Sequence, residues 1–271
     1  MDVVKAIILG AIQGLTEFLP VSSSGHLVIL GEILGRELGG EGSTAQSVLL
    51  HLGSLMAILW VFRADVLKLV YPKINWRLWG MLFIASLPAA IVGLTIKKLL
   101  PASQETWVEH NVLQSPWVAC FGLMFTAAVL WIAERPRELR VTLEGARGMD
   151  FWLVSLVGVA QMIALLPGVS RSGSTICTAL ILYWVRADAV RLSFLMGMIA
   201  IGGAGLIEAK DIAEIDAAPA IVGFAASLVF SIVGLTLVKL VVAKRKLRWF
   251  SAYCAVAGIA ALVYFIAFPP A

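Results

Sequence analysis

Six long apolar runs dictate what this chain can become. Residues 45–62, 78–96, 117–133, 192–207, 217–238 and 249–268 are each close to the roughly 20 residues that a helix needs to cross a bilayer. A soluble chain of 271 residues has no interior large enough to bury them all. Charged residues make up only 14% of the chain, against roughly a quarter in soluble domains. Trp60, Trp76, Trp79, Trp117, Trp131 and Trp249 fall near the ends of these runs, where indole rings sit at a membrane–water boundary. The start, Met1-Asp2-Val3-Val4-Lys5, lacks a basic segment and a small-residue cleavage site, so no removable signal peptide is expected. Cys120, Cys177 and Cys254 lie in apolar segments without disulfide or zinc spacing and read as packing residues. A formal charge of +4 gives no reason to expect a nucleic-acid partner.

The chain repeats itself at an offset of 148 residues. Gly10, Gln13, Val21, Ser22, Ser24 and Gly25 coincide with Gly158, Gln161, Val169, Ser170, Ser172 and Gly173. In each copy an apolar stretch leads to a Ser/Gly-rich break and a shorter apolar stretch, 3–19 then 26–35, and 151–166 then 175–185. Three full spans follow. The broken pairs are too short to cross twice, so they read as re-entrant hairpins. Irregular backbone at membrane depth must be satisfied by protein or water, so the two breaks are expected to face each other.

Three spans per half is an odd number, which inverts the second half relative to the first. The basic residues fit that arrangement. One set of loops carries 15 of them, from Arg63 through Arg135 to Arg248. The opposite set carries 4: Arg36, Lys97, Lys98 and Lys210. Such asymmetry marks the rich side as cytoplasmic. The expected fold is an all-α integral membrane protein, an inverted-topology repeat of six transmembrane helices plus two re-entrant helical hairpins. It forms a single membrane domain over 1–271, with repeats at 1–134 and 150–271. Small-residue stretches such as Gly202-Gly203-Ala204-Gly205 suit either internal packing or a homodimer.

Chemistry concentrates at the breaks. In the first, Gln13 and Glu17 are four apart and share a helix face. Pro20 ends that helix, and Ser22, Ser23 or Ser24 can cap the next one, with His26 in its first turn. The second break, Pro167-Gly168-Val-Ser170-Arg171-Ser172-Gly173-Ser174-Thr175, offers another helix start, four hydroxyls and a guanidinium. Helix N-termini favour anions, and arginine grips phosphate oxygens in pairs. Opposed, the breaks would make an anion cage holding Arg171, Glu17 and His26, a better match for phosphate than for a simple carboxylate. Ionisable residues inside apolar segments are expensive and mark function. The nucleophile stays open between His26, Ser23 and a water activated by Glu17, with His26 favoured and Glu17 expected to orient it or bind metal. His51 lies within a span, where packing is as good an account as a site role. A transporter of an anionic lipid could use the same architecture, but a carboxylate beside an anionic cargo favours hydrolysis.

The two motifs resemble those of the bacterial undecaprenyl-diphosphate phosphatases, also called bacitracin-resistance proteins. The first is Gln13 and Glu17 running into Phe-Leu-Pro-Val-Ser-Ser-Ser-Gly-His. The second is Pro167 through Thr175, and the likeness covers the whole chain. It implies hydrolysis of undecaprenyl diphosphate to the monophosphate carrier for cell-wall synthesis, in a bacterial inner membrane, with the site open to the outer face. It implies essential roles for Glu17, Ser23, His26 and Arg171. Substrate contacts would come from Gln13, Ser22, Ser24, Gly25, Gln161, Gly168, Ser170, Ser172, Gly173, Ser174 and Thr175. It also implies a divalent cation, magnesium or calcium, on Glu17. Many members carry Glu where this chain has Gln13, a weaker ligand for a hard cation.

Overall fold

The computed structural model describes residues 3–34, 44–145, 148–208 and 217–270. These residues form helices α1 (Val3–Phe18), α2 (Ser23–Leu34), α3 (Thr44–Val61), α4 (Arg63–Val70), α5 (Trp76–Leu94), α6 (Ala102–Val108), α7 (Pro116–Ala133), α8 (Gly148–Ile163), α9 (Arg171–Ile181), α10 (Arg186–Glu208), α11 (Ala217–Ala243) and α12 (Leu247–Ala267). The only strand-like pairing among them is one isolated bridge, Val141 to Trp184.

Among the described residues, five helices are long and apolar enough to cross a membrane. A sixth span results if α3 and α4 count as one, although they bend by 78° at Phe62. The apolar run ends there and the basic Arg63 begins α4. Each of the six apolar runs in the sequence thus falls on a helix, and the chain is a multi-pass membrane protein. Arg36 and Lys210 of the basic-poor loops lie outside the described residues.

Local signals set the helix boundaries. The Asn75 side chain accepts from Leu78 N at 3.0 Å to start α5. Pro116 opens α7 at a position where a missing N–H costs nothing. The α5 helix widens into a π-helical turn at Thr95–Leu99. Leu100 is extended, as a residue before proline must be.

The helices pack in matched pairs. α1 lies along α11 as α8 lies along α5, and α3 meets α11 as α10 meets α5. The repeat-related glycines serve matching contacts: Gly10 lies against the Gly223 carbonyl of α11, and Gly158 against the Ala85 carbonyl of α5. Small residues let helices in lipid approach to backbone distance. Ser54 on α3 and Ser231 on α11 add a hydrogen bond of 3.0 Å, and Ser227 donates to the Leu50 carbonyl at 2.6 Å. Of the small-residue stretch on α10, Gly202 and Gly205 face Leu55 and Leu52 of α3, whereas Gly203 faces open space.

The basic end is tied by ion pairs. Arg191 bridges Asp65 at 2.6 Å and Asp188 at 2.7 Å, and Arg186 meets Glu134 at 3.2 Å. Arg63 and Arg248 stack over the exposed rings of Trp60 and Trp131, the amphipathic pairing suited to an interface. Ile8, Phe83, Phe121, Val256 and other large apolar side chains lie bare on the outer surface, as lipid contact requires.

Candidate active site

The two breaks touch. α1 ends at Phe18 ahead of Pro20, and Ser22 adopts a left-handed backbone, φ 62°, before α2 begins. α8 ends at Ile163, and Gly168 is left-handed at φ 84° before α9 begins. A Cβ on Gly25 would meet Gly168 Cα at 2.5 Å, and one on Gly173 would meet Pro20 at 3.2 Å. The Ser172 hydroxyl donates to the Leu19 carbonyl at 3.4 Å. The expectation that the breaks face each other therefore holds.

Both second helices are capped alike. The Ser22 hydroxyl accepts from Gly25 N at 3.3 Å, and the Ser170 hydroxyl from Gly173 N at 3.1 Å. These are repeat-matched residues doing the N-cap's work. Ser170 is held further by Thr126 of α7, whose Oγ1 accepts from Ser170 N and donates to the Gly168 carbonyl, each at 2.9 Å.

Across this seam Arg171 Nη2 donates to Glu17 Oε1 at 2.5 Å. The pair is largely buried, with side chains 16% and 12% exposed. Removing one member of such a pair is far costlier than the pair's net worth. Gln13 Nε2 reaches Glu17 Oε2 at 3.1 Å and His51 Nδ1 at 3.1 Å. Glu17, His51 and Arg171 line a cavity of about 180 Å³ with Val48 and residues of α10. Arg171 Nη1 is buried without a hydrogen-bond partner, and it lies against Gly197, where a Cβ would collide with it. Gly197→Ala is accordingly expected to push the guanidinium off Glu17 and cut turnover by roughly tenfold or more. Turnover measured on folded protein checks this.

His26 sits elsewhere. Its Nδ1 contacts the Ser22 carbonyl and its Nε2 the Tyr253 hydroxyl, each at 2.7 Å. The imidazole borders a separate, mostly apolar cavity of about 370 Å³. Among the described residues Glu17 and His26 share neither a hydrogen bond nor a cavity. Glu17 therefore does not orient the imidazole, as the sequence suggested it would; Ser22 and Tyr253 do.

The other candidates divide. Ser23, half-buried, opens α2, and Ser24 is exposed with its hydroxyl 3.3 Å from that of Ser22. Ser172 is 3.3 Å from the Ser170 hydroxyl. Thr175 bonds the Arg171 carbonyl at 2.8 Å and the Ser193 hydroxyl at 2.6 Å, deep in the bundle. Gln161 and Ser174 are buried with side-chain polar atoms unpartnered. His51 joins the site through Gln13, a role no local pattern announces.

As donors for a cation, these residues offer one carboxylate, both of whose oxygens already accept hydrogen bonds. Among the described residues no group of three His, Cys, Asp or Glu could hold a metal. The set fits a cation shared with a substrate's phosphate oxygens, the usual habit of magnesium, rather than an all-protein cage.

A multi-span helical protein with two broken helices meeting at a buried carboxylate–guanidinium pair defines a class: membrane proteins that handle an anionic group within the bilayer. The model of the family described as bacitracin resistance protein BacA matches residues 6–260. The chain belongs to that family. Similar proteins include an undecaprenyl-diphosphatase of Carboxydothermus hydrogenoformans, 37% identical over 97% of each chain. One of Christiangramia forsetii is 36% identical, covering 97% of this chain and 98% of its own. One of Methanosphaera stadtmanae is 33% identical over the same shares.

Proposed function

We propose that this protein is an undecaprenyl-diphosphatase. It hydrolyses undecaprenyl diphosphate to undecaprenyl phosphate and inorganic phosphate, recycling the carrier for cell-wall synthesis and so conferring resistance to bacitracin. Family membership carries the activity. The observation that carries the chemistry is the Glu17–Arg171 pair at the seam, with Arg171 Nη1 buried and unpartnered.

The head group lies along the seam, and its isoprenoid tail leaves sideways into lipid. Arg171 and His26 border separate cavities in the resting structure, so substrate binding draws the two sides of the seam together: Arg171 turns its fork to the terminal phosphoryl, whose charge is stabilised by positioned donors. The α2 and α9 N-termini add partial positive charge. Gln13 and Arg171 hold Glu17 in place. His26 attacks the terminal phosphorus through Nε2. The bond to the bridging oxygen breaks and undecaprenyl phosphate leaves with the electron pair. Water then hydrolyses the phosphohistidine and returns the imidazole. Phosphate recovered on Ser23, with none on His26, would overturn that step.

A divalent cation, magnesium or calcium, would be held by Glu17 together with diphosphate oxygens, and when bound would offset charge on them. Two inverted halves, 1–134 and 150–271, each opening with a re-entrant hairpin, are supported by the matched packing of α1 on α11 and α8 on α5. The charge asymmetry supports a bacterial inner-membrane orientation with the site opening outward.

The decisive assay is phosphate release from a long-chain prenyl diphosphate by the purified protein in detergent. Release is expected, slowed by a chelator and restored by magnesium. A folded sample that binds the lipid but releases no phosphate would refute the hydrolase. Release indifferent to the chelator would remove the cation.

A further inference from the structure

The hydrogen bonds of His26 fix more than its position. A carbonyl oxygen only accepts, so Nδ1, at 2.7 Å from the Ser22 carbonyl, carries the proton of the neutral ring. The lone pair then belongs to Nε2. The Tyr253 hydroxyl, at 2.7 Å, donates to it. The two rings lie nearly parallel, 8° apart with centroids at 5.6 Å. Tyr253 comes from α12, 227 residues further along, and its own place is set on both sides. Ser251 donates to the Ala127 carbonyl of α7 at 2.7 Å, and the Cys254 thiol contacts the Pro20 carbonyl of the first break at 3.6 Å.

We infer that Tyr253 is a positioning residue for the phosphatase reaction: it locks His26 in the Nδ1–H tautomer and aims Nε2 until the substrate's phosphoryl group displaces the phenol. The inference rests on the reading of His26 as the nucleophile. A histidine can attack only through the nitrogen that lacks the proton, so the tautomer and the ring plane decide whether it reacts at all. Ser22 alone fixes the tautomer but leaves the ring free to swing about that one bond. The second bond and the stacked ring remove that freedom, the same logic by which a partner on one ring nitrogen prepares the other. Tyr253 also stands where the reacting nitrogen meets an apolar groove. Leu30 and Ile33 of α2 and Ala257, Ala261 and Tyr264 of α12 continue the cavity away from the two rings. A prenyl chain settling there brings its diphosphate to the hydroxyl, which exchanges Nε2 for a phosphoryl oxygen and leaves the lone pair clear.

Tyr253→Phe keeps the ring and removes only the hydroxyl. In protein labelled with 15N-histidine, the Nε2 resonance of His26 is expected to move while those of His51 and His110 stay. The kcat for phosphate release is expected to fall roughly five- to tenfold, the size of one hydrogen bond, with KM within about twofold. A packing role alone would move neither the resonance nor kcat in this variant. An unmoved resonance, or a moved one with unchanged kcat, overturns the inference. Wild-type turnover in His26→Ala overturns the nucleophile reading and the role of Tyr253 with it. The resonance still reports the contact, so the two failures are told apart.

Discussion

Arg171→Ala is expected to lower kcat/KM for phosphate release by about a thousandfold or more, the range that follows loss of an arginine from a phosphoryl-transfer transition state. Arg171 is the first residue of α9, directly after the Ser170 cap, so its backbone is fixed by the helix start. One arm meets Glu17 at 2.5 Å, and the other is buried with no partner. A donor left unpaired at that depth costs stability in the resting protein, and an arriving phosphoryl oxygen relieves the cost. Alanine also strands the Glu17 carboxylate, a loss of roughly 3–5 kcal/mol for a buried pair, so turnover must be normalised to the folded fraction by size exclusion. Arg171→Lys separates the two effects. It keeps the charge beside Glu17 but cannot span carboxylate and phosphoryl oxygens with one planar fork. It should remain folded and lose roughly a hundredfold. Folded Arg171→Ala within tenfold of wild type would exclude Arg171 from the transition state.

Much of this architecture is legible in the chain because the repeat is written in residues whose jobs depend on backbone alone. Gly10 and Gly158 mark helix crossings, and Ser22 and Ser170 mark caps, so equal letters give equal local structure. The meeting of the breaks follows from the need to satisfy irregular backbone in lipid. What stays hidden depends on direction. Glu17 and His26 are nine positions apart, close enough in sequence to suggest one cluster. The turn through the left-handed Ser22 instead carries α2 onto α7, and from there His26 finds Tyr253 of α12. The bond between His51 and Gln13 needs α3 to lie beside α1, which no pattern within either segment states. Gly197 reads as any glycine in an apolar helix until Arg171 is seen to fill the space of its missing side chain. The bend at Phe62 is likewise silent, since the run 45–62 and the basic start of α4 would look the same in a straight span.

Gly168→Ala is expected to be among the most destabilising single-methyl changes in the molecule, lowering the thermal unfolding midpoint by roughly 10 °C. Two independent penalties add. At φ 84° the backbone is left-handed, which costs a residue with a Cβ about 1 kcal/mol. The new methyl would also collide with the Ala119 carbonyl of α7, a backbone atom that cannot rotate away. Overpacking of this kind costs about 1–3 kcal/mol, and each kcal/mol moves the midpoint by roughly 2–4 °C in a chain of this size. The strain cannot relax towards the other side, because Gly25 of the first break already lies there, nor along the chain, because Thr126 pins both the Gly168 carbonyl and Ser170 N. Whatever shift accommodates the methyl must therefore move α7 or part the two breaks, and parting them draws Arg171 from Glu17. Activity should fall along with stability, even at temperatures where the variant is still folded. Gly203→Ala is the matched control. That glycine is helical, has no atom near its would-be Cβ, and should change the midpoint by no more than about 2 °C. Equal midpoints for the two variants would mean that the breaks are not packed at backbone contact, and the seam on which the active site is built would have to be redrawn.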